Sequence, residues 1–367
     1  MNNVAHIVLG FLMFTVLGCQ SVKQAEWTND LYERIDTSPV DGGFRMENYW
    51  VWGSSVIRGD DGQYHMFVSR WPKHLTFHPG WMIASEIVHA VSPTPEGPYQ
   101  FSDVALPARG AQYWDGRSTH NPKILKYKDT YILYYMGSTH PFADFKPEET
   151  LQLNSKYSIV GRSNKRIGIA TSKTPYGPWQ RNDAPVLDTK PDTFYSFLTS
   201  NPSPLIKDDG SVLMLFKSRA YRDEFPYHGD MDIGVATAPH YQGPYTVFSD
   251  RSIFDFEIED PTIWRDDQGY HMLAKDQRGE FTGHQGAGIH AVSQDGLEWS
   301  LAEPALAYTK QVQWDDGTVE KMGQLERVSV LIEDGVVTHL FFATMDGPGG
   351  FENSTKSWNM VVPFKTK

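Results

Sequence analysis

The chain has 367 residues, of which 40% are hydrophobic and 13% aromatic, so it can bury a sizeable core. Its formal net charge of -12 excludes nucleic acid as an expected partner, because phosphate binding requires an excess of lysine and arginine. Beyond the N-terminus, no apolar run in the sequence is long enough to cross a bilayer as a helix.

The first predicted element is an apolar segment, HIVLGFLMFTVLG, which ends directly before Cys19, the only cysteine of the chain. Its length is typical of a secretory signal. A cysteine after Val-Leu-Gly resembles the cleavage site of bacterial lipoproteins, which predicts a signal peptide over residues 1–18 and a lipid-modified Cys19. An ordinary signal peptide or a buried cysteine is the alternative. We therefore expect a lipid-anchored protein of the cell envelope, facing the periplasm or the outer surface, with a tether and lead-in segment over residues 19–45.

Five hairpin patterns follow the lead-in segment. Each has a short apolar strand, a polar turn with Asp or Gly, and a second strand rich in β-formers. They begin at Trp52, His120, Ser200, Glu259 and Glu326. A second pattern alternates with the first, in the segments EIVHAVSPTPEGPYQF, RIGIATSKTPYGPWQR, DIGVATAPHYQGPYTV and GIHAVSQDGLEWS, with a degenerate copy in SWNMVVPFKTK.

Two motifs that keep the same order along the chain indicate a repeat architecture rather than successive domains. Four strands in each copy are typical of a β-propeller blade. We therefore predict an all-β fold, a five-bladed β-propeller with about four antiparallel strands per blade, as the catalytic domain over residues 46–367. The lead-in segment is expected to close the ring against the last blade.

The blade motifs resemble those of five-bladed glycoside hydrolases of family 43 and its relatives, including family 117. The resemblance rests on Asn-Pro or Asp-Pro at the start of the inner strands and on IGIATSKTPYGPW in the second blade. It covers nearly the whole mature chain and implies an oligosaccharide substrate, with no cofactor or metal required.

In a propeller, the starts of the inner strands and the ends of the second strands meet around one central funnel. The expected catalytic residues are His120, Glu259, Asp260 and Glu326. The expected substrate-binding residues are Trp52, Arg70, Arg117, Asn121, Asn201, Arg219, Lys275 and Arg327. The cations among them indicate either an anionic sugar, held by guanidinium groups, or simple neutralisation of the acidic residues.

Three functions remain open from these residues, with glycoside hydrolysis as the first choice, elimination as the alternative and glycan binding without catalysis as the third. Hydrolysis at the ends of acidic oligosaccharides needs two carboxyl groups across the scissile bond. The resembled enzymes imply acidic residues at the starts of the first two blades, where this sequence has WGSS and Asn121. Asp115 is near enough in sequence to substitute, and the resemblance to family 117 implies His120 as a proton donor.

The second possibility is elimination at a terminal uronic acid, in which a histidine abstracts the proton α to the carboxylate and cations stabilise the resulting charge. Such a dehydratase or lyase would act on acidic polysaccharides such as ulvan. The third is a lipid-anchored glycan-binding protein without catalysis, favoured by the missing acid in the first blade.

The segment SRWPKHLTFHPGWM is predicted to be a long loop beside the funnel, with Trp71 or Trp81 as a stacking surface. The spacing of His74 and His78 suits zinc ligands on a helix, but the prolines in this segment disfavour a helix. His228 with the aspartates that follow it offers another weak cation site, for which a polar turn is the simpler explanation. The sequence therefore predicts no metal site.

Overall fold

In the computed structural model, which describes residues 29–146 and 149–365, the repeated hairpins form five antiparallel sheets. The predicted five-bladed β-propeller is confirmed. The predicted signal peptide and Cys19 lie outside the described residues. Within the described part of the chain, no helix has the length and hydropathy needed to span a membrane.

Four of the five blades have four strands. The first has β1 (Tyr49–Arg58), β2 (Tyr64–Pro72), β3 (Glu86–Ser92) and β4 (Gln100–Leu106). The second has β5 (Ser118–Tyr127), β6 (Thr130–Ser138), β7 (Arg166–Ser172) and β8 (Gln180–Arg181). The third has β9 (Leu198–Ile206), β10 (Val212–Arg219), β11 (Asp232–Ala238) and β12 (Thr246–Val247). The fourth has β13 (Ile258–Arg265), β14 (Tyr270–Asp276), β15 (Gly288–Ser293) and β16 (Ser300–Tyr308).

The fifth blade follows a small hairpin of β17 (Gln311–Gln313) and β18 (Val319–Lys321). It has three strands, β19 (Gln324–Glu333), β20 (Val336–Met345) and β21 (Ser357–Pro363). Phe44, from the lead-in segment, pairs with the outer edge of this blade through two backbone hydrogen bonds to Asn359, of 2.8 and 3.0 Å. The N-terminal part of the described chain thus joins the last blade and closes the ring.

The apolar core lies between neighbouring blades rather than at the centre of the ring. Between the second and third blades, for example, Ile132 and Tyr134 pack with Met214 and Phe216. The period-two alternation of each strand puts one set of side chains against each neighbouring blade. The axis of the propeller is therefore left to polar residues.

Three helices occur among the described residues: α1 (Leu31–Arg34) in the lead-in segment, α2 (Phe77–Ala84) between β2 and β3, and α3 (Lys156–Ser163) between β6 and β7. A single 3-10 turn spans Gly350–Glu352. The prediction of a loop was wrong for α2, although the helix is kinked at His78 and Pro79, whose backbone angles are not helical. Its short helical turns pack on Trp71 and bring Trp81 to the centre of the molecule.

Candidate active site

A backbone bulge at the same place in all five inner strands builds the floor of the site. The pairing register shifts there in every blade. The bulged residues have positive φ angles between 48° and 63° and are Gly53, Asn121, Asn201, Asp260 and Arg327. A bulge re-aims the side chains beside it, so this conformation turns one residue of each blade toward the axis.

The bulged residues form a ring around the axis, which we call the axial ring. Asn121 donates to Asn201, and Asn201 donates to Asp260, each over 2.7 Å. Arg327 forms an ion pair with the same carboxylate oxygen of Asp260. Gly53 completes the ring without a side chain, since a Cβ there would lie 2.6 Å from the amide oxygen of Asn121. A side chain at this position would therefore require Asn121 to move.

The residue before each ring member points into a central cavity of about 390 Å³. These five residues are Trp52, His120, Ser200, Glu259 and Glu326. Most of the predicted site residues therefore meet in one place, and Asn121, Asn201, Arg219, Lys275 and Arg327 also line the cavity. Asp260 instead lies in the axial ring and does not line the cavity.

Lys275 lies between the two carboxylates of the cavity. It forms an ion pair with Glu326, and its ammonium nitrogen is 3.6 Å from Glu259, which also pairs with Lys217 and accepts a hydrogen bond of 2.7 Å from Gln277. Burial opposes ionisation of Glu259, but the two lysines hold its pKa well below the usual range. Burial raises the pKa of Glu326 above its usual range, and Lys275 only partly offsets this. The two carboxyl groups are therefore electrostatically unlike, although both are buried.

His120 is buried to 2% exposure and is held as a neutral imidazole. Burial lowers its pKa well below the usual value, and the charges of Arg327 and Lys165 lower it further. Its Nδ1 lies 2.7 Å from the hydroxyl of Ser85, and its ring stacks on Trp81 with the centroids 4.9 Å apart. Nε2 makes no hydrogen bond to any described residue. When Nδ1 donates its proton to Ser85, the lone pair of Nε2 is available as a base.

One group of carboxylates has the spacing of a metal site. Oxygen atoms of Glu259, Asp260 and Glu326 all lie within 4.8 Å of one another. Each carboxylate is, however, already paired with a cationic side chain, from Lys217, Arg327 or Lys275. Three positive charges on three negative charges leave little attraction for a cation. The arrangement is that of a neutralised cluster rather than a preformed metal site.

The cavity carries more positive charge than the sequence predicted. Seven cations line it, against the two carboxylates of Glu259 and Glu326: Arg162, Lys165, Lys217, Arg219, Lys275, Lys310 and Arg327. This excess occurs in a chain of net charge -12. Arg162 and Lys165 were not predicted, because they come from α3 and its end rather than from the repeat. The basic run GRSNKR was the signal that could have found them.

Two predicted binding residues lie elsewhere, and those predictions were wrong. Arg70 pairs with Glu86 over 2.8 Å and covers the ring of Tyr49, because successive strand residues face opposite sides and Ser69 takes the inward position. Arg117 pairs with Asp144 beside a separate pocket that also contains His74.

The expected substitute acid, Asp115, is also remote from the cavity. It is fully buried and pairs with Arg109 and Arg181 over 2.6 and 3.3 Å. Of the two candidate stacking surfaces, Trp71 is fully buried, whereas Trp81 is only partly buried and lies against His120. His78 faces Trp81 and Arg162 and does not share a site with His74.

Similar folds occur among solved glycoside hydrolases. Zg3597, a family 117 glycoside hydrolase produced by the marine bacterium Zobellia galactanivorans, aligns with a TM-score of 0.64 and 17% identity, over 92% of this chain and 91% of that one. A thermostable family-43 glycoside hydrolase aligns with a TM-score of 0.60 and 13% identity, over 90% of this chain and 94% of that one. No protein-family model and no curated protein matches the sequence. The similarity is therefore one of fold.

Proposed function

We propose that the protein is a carbohydrate-active enzyme that acts on terminal uronic acids of acidic oligosaccharides by elimination, with His120 as the base. The observation that carries this proposal is the neutral, buried imidazole of His120 in a cavity with seven cations. A neutral histidine is ready to accept a proton, and cations stabilise the charge that develops on a carboxylate when its α-proton leaves.

The proton on C5 of the uronic acid moves to Nε2 of His120, and its electron pair forms the double bond between C4 and C5. The bond from C4 to its oxygen breaks, and the departing oxygen takes a proton from the buried pair of Lys275 and Glu326. The leaving group is water or a sugar, and the product is an unsaturated uronic acid. We assign the substrate carboxylate to Arg327, because this arginine lines the cavity beside His120.

Hydrolysis is the second candidate, and the fold similarity to glycoside hydrolases favours it. The unlike carboxyl groups of Glu326 and Glu259 also suit an acid and a base. Against this, Lys275 lies between the two carboxyl groups and pairs with Glu326, whereas the two carboxyl groups of a glycosidase flank the scissile bond.

The test compares variants on a panel of acidic oligosaccharides with uronic acids at their non-reducing ends. His120→Asn should lower kcat by about 10²–10⁴-fold, the usual contribution of a general base. His240→Asn, in the turn between β11 and β12, is the matched control and should behave as the native protein. Full activity of His120→Asn would refute the role of this residue, and a product that has gained water would favour hydrolysis.

The membrane attachment is also a proposal. It rests on the position of Cys19 after an apolar segment of signal-peptide length. Cells that express the protein should incorporate labelled palmitate into it, and Cys19→Ser should abolish the labelling. Labelling that survives Cys19→Ser would refute the predicted anchor.

A further inference from the structure

The cations of the cavity fall into two groups. Lys217, Lys275 and Arg327 pair with carboxylates. The other four, among the residues that the structure describes, have no carboxylate within 4.0 Å, and they are Arg162, Lys165, Arg219 and Lys310. Lys165 is buried and the other three are partly buried, and positive charge in such a wall is costly without a paired carboxylate, so this second group favours a negative partner from outside the chain.

The hydrogen bonds of His78 show where that partner is needed. Trp81 donates its indole N–H to Nδ1 of His78 over 2.9 Å, and an indole nitrogen can only donate. Burial and then the charge of Arg162 lower the pKa of His78 to about 3, so its ring is neutral. A neutral ring that accepts at Nδ1 carries its proton on Nε2. That N–H faces a guanidinium nitrogen of Arg162 at 3.2 Å, and both groups are donors.

Two more residues extend this arrangement of donors. Nδ1 of His228 lies 2.9 Å from a guanidinium nitrogen of Arg219 and 3.0 Å from the carbonyl of Gly229, and its Nε2 lies 2.9 Å from a guanidinium nitrogen of Arg162. Arg219 donates to the same carbonyl over 2.6 Å. Burial lowers the pKa of His228 to about 4, and its neutral ring can accept a hydrogen bond from only one of the two guanidinium groups. The other guanidinium group is left with an N–H that has no acceptor on this ring.

Lys165 also belongs to this group and lies over the indole ring of Trp81. Its ammonium lies 4.2 Å from the ring centroid of Trp81, the ring that also stacks on His120. No described residue accepts a hydrogen bond from it. Burial and then the charge of Arg162 lower the pKa of Lys165 well below its usual value, because both oppose a positive charge at this point.

From this geometry we propose that His78, Arg162, Lys165 and Arg219 form a subsite for a sulfate ester on the substrate. Every free polar atom of the group is a donor, and the three terminal oxygens of a sulfate ester accept several hydrogen bonds at once. A carboxylate offers two oxygens, and the proposed function already places it at Arg327 and His120. The identity of the sugar rests on the proposed function, whereas the assignment of a sulfate ester to these four residues does not.

The first experiment uses inorganic ions, so it does not depend on turnover. Sodium sulfate is titrated into the purified protein by calorimetry, with sodium chloride holding the ionic strength constant. Sulfate should bind, and Arg162→Gln should weaken it by at least about tenfold, since a charged hydrogen bond contributes about 1.5–3 kcal/mol. Arg117→Gln, which removes an arginine outside the cavity, is the matched control and should bind sulfate as the native protein does.

Several outcomes would overturn the subsite. Absence of sulfate binding, or binding that Arg162→Gln leaves unchanged, would do so. Acetate or phosphate binding at least as tightly as sulfate would assign the group to a carboxylate or a phosphate ester instead. Circular dichroism checks that each variant folds, and Lys165→Met provides a second test if Arg162→Gln does not.

The second experiment separates this inference from the proposed function. Binding of sulfated uronic oligosaccharides is compared with that of the same oligosaccharides after chemical desulfation, in His120→Asn protein that turns them over slowly. In this background, Arg162→Gln should weaken the binding of the sulfated oligosaccharides and leave the binding of the desulfated ones unchanged. Equal weakening of both partners would refute a sulfate subsite. Sulfate binding with no elimination by the native protein would instead refute the proposed reaction and leave the subsite standing.

Discussion

Lys275 is buried to 6% exposure between two carboxylates, and Lys275→Met should destabilise the propeller strongly. The change removes the only described cation within 4.0 Å of Glu326 and leaves this carboxylate buried. Glu259 keeps its pairing with Lys217. Breaking a buried pair by removing one partner costs about 3–5 kcal/mol, because the remaining charge is uncompensated. The free energy of unfolding should fall by that amount in urea titrations at neutral pH.

Two controls show that the loss reflects charge rather than the new side chain. Adding Glu326→Gln to Lys275→Met removes the orphaned charge, so the double variant should recover most of the lost stability. Lys173→Met removes a lysine whose pair with Asp129 is exposed, and its unfolding midpoint should not change. A Lys275→Met protein as stable as the native one would refute the account of a neutralised carboxylate cluster.

Three further predictions concern ring closure and the proposed base. Phe44→Ala should lower the free energy of unfolding by about 3–5 kcal/mol, because Phe44 is 2% exposed and packs against Phe341 and Val361. A smaller loss in urea titrations would argue against closure of the ring by the lead-in segment. Ser85→Ala should lower kcat less than His120→Asn, since it removes only the group that orients the imidazole. An equal loss, measured by the ultraviolet absorbance of the unsaturated product, would contradict this. The acid limb of the pH profile of kcat/KM should lie well below about pH 6.5, because His120 stays neutral until the pH falls to its lowered pKa. An acid limb near the ordinary histidine pKa of about 6.5 would contradict a buried neutral base.

The fold and the axial positions could be predicted because they repeat. Five copies of the same hairpin fix the blade number, and the same offset in each copy identifies Asn121, Asn201, Asp260 and Arg327 as equivalent. The prediction needed only the order of strands, not their contacts. At Gly53 the sequence lacks the expected acidic residue, and in the structure the glycine lies close to the side chain of Asn121.

The remaining parts of the site could not be predicted because they do not repeat. Arg162 lies in α3, Lys165 lies just after it, and His78 and Trp81 lie in α2, so no other blade indicates where they are. Arg70 shows a second limit on predicting site residues from the sequence. Its place at a strand end was predicted correctly, but a shift of one residue moves a strand side chain to the opposite face.

The most direct test of the account is the fate of water during the reaction. Acidic oligosaccharides with terminal uronic acids are incubated with the protein in water labelled with heavy oxygen, and the products are analysed by mass spectrometry and ultraviolet absorbance. Elimination by His120 predicts products without the label and an absorbance that rises with the new double bond. Products that carry the label and do not absorb would contradict elimination and identify the protein as a hydrolase.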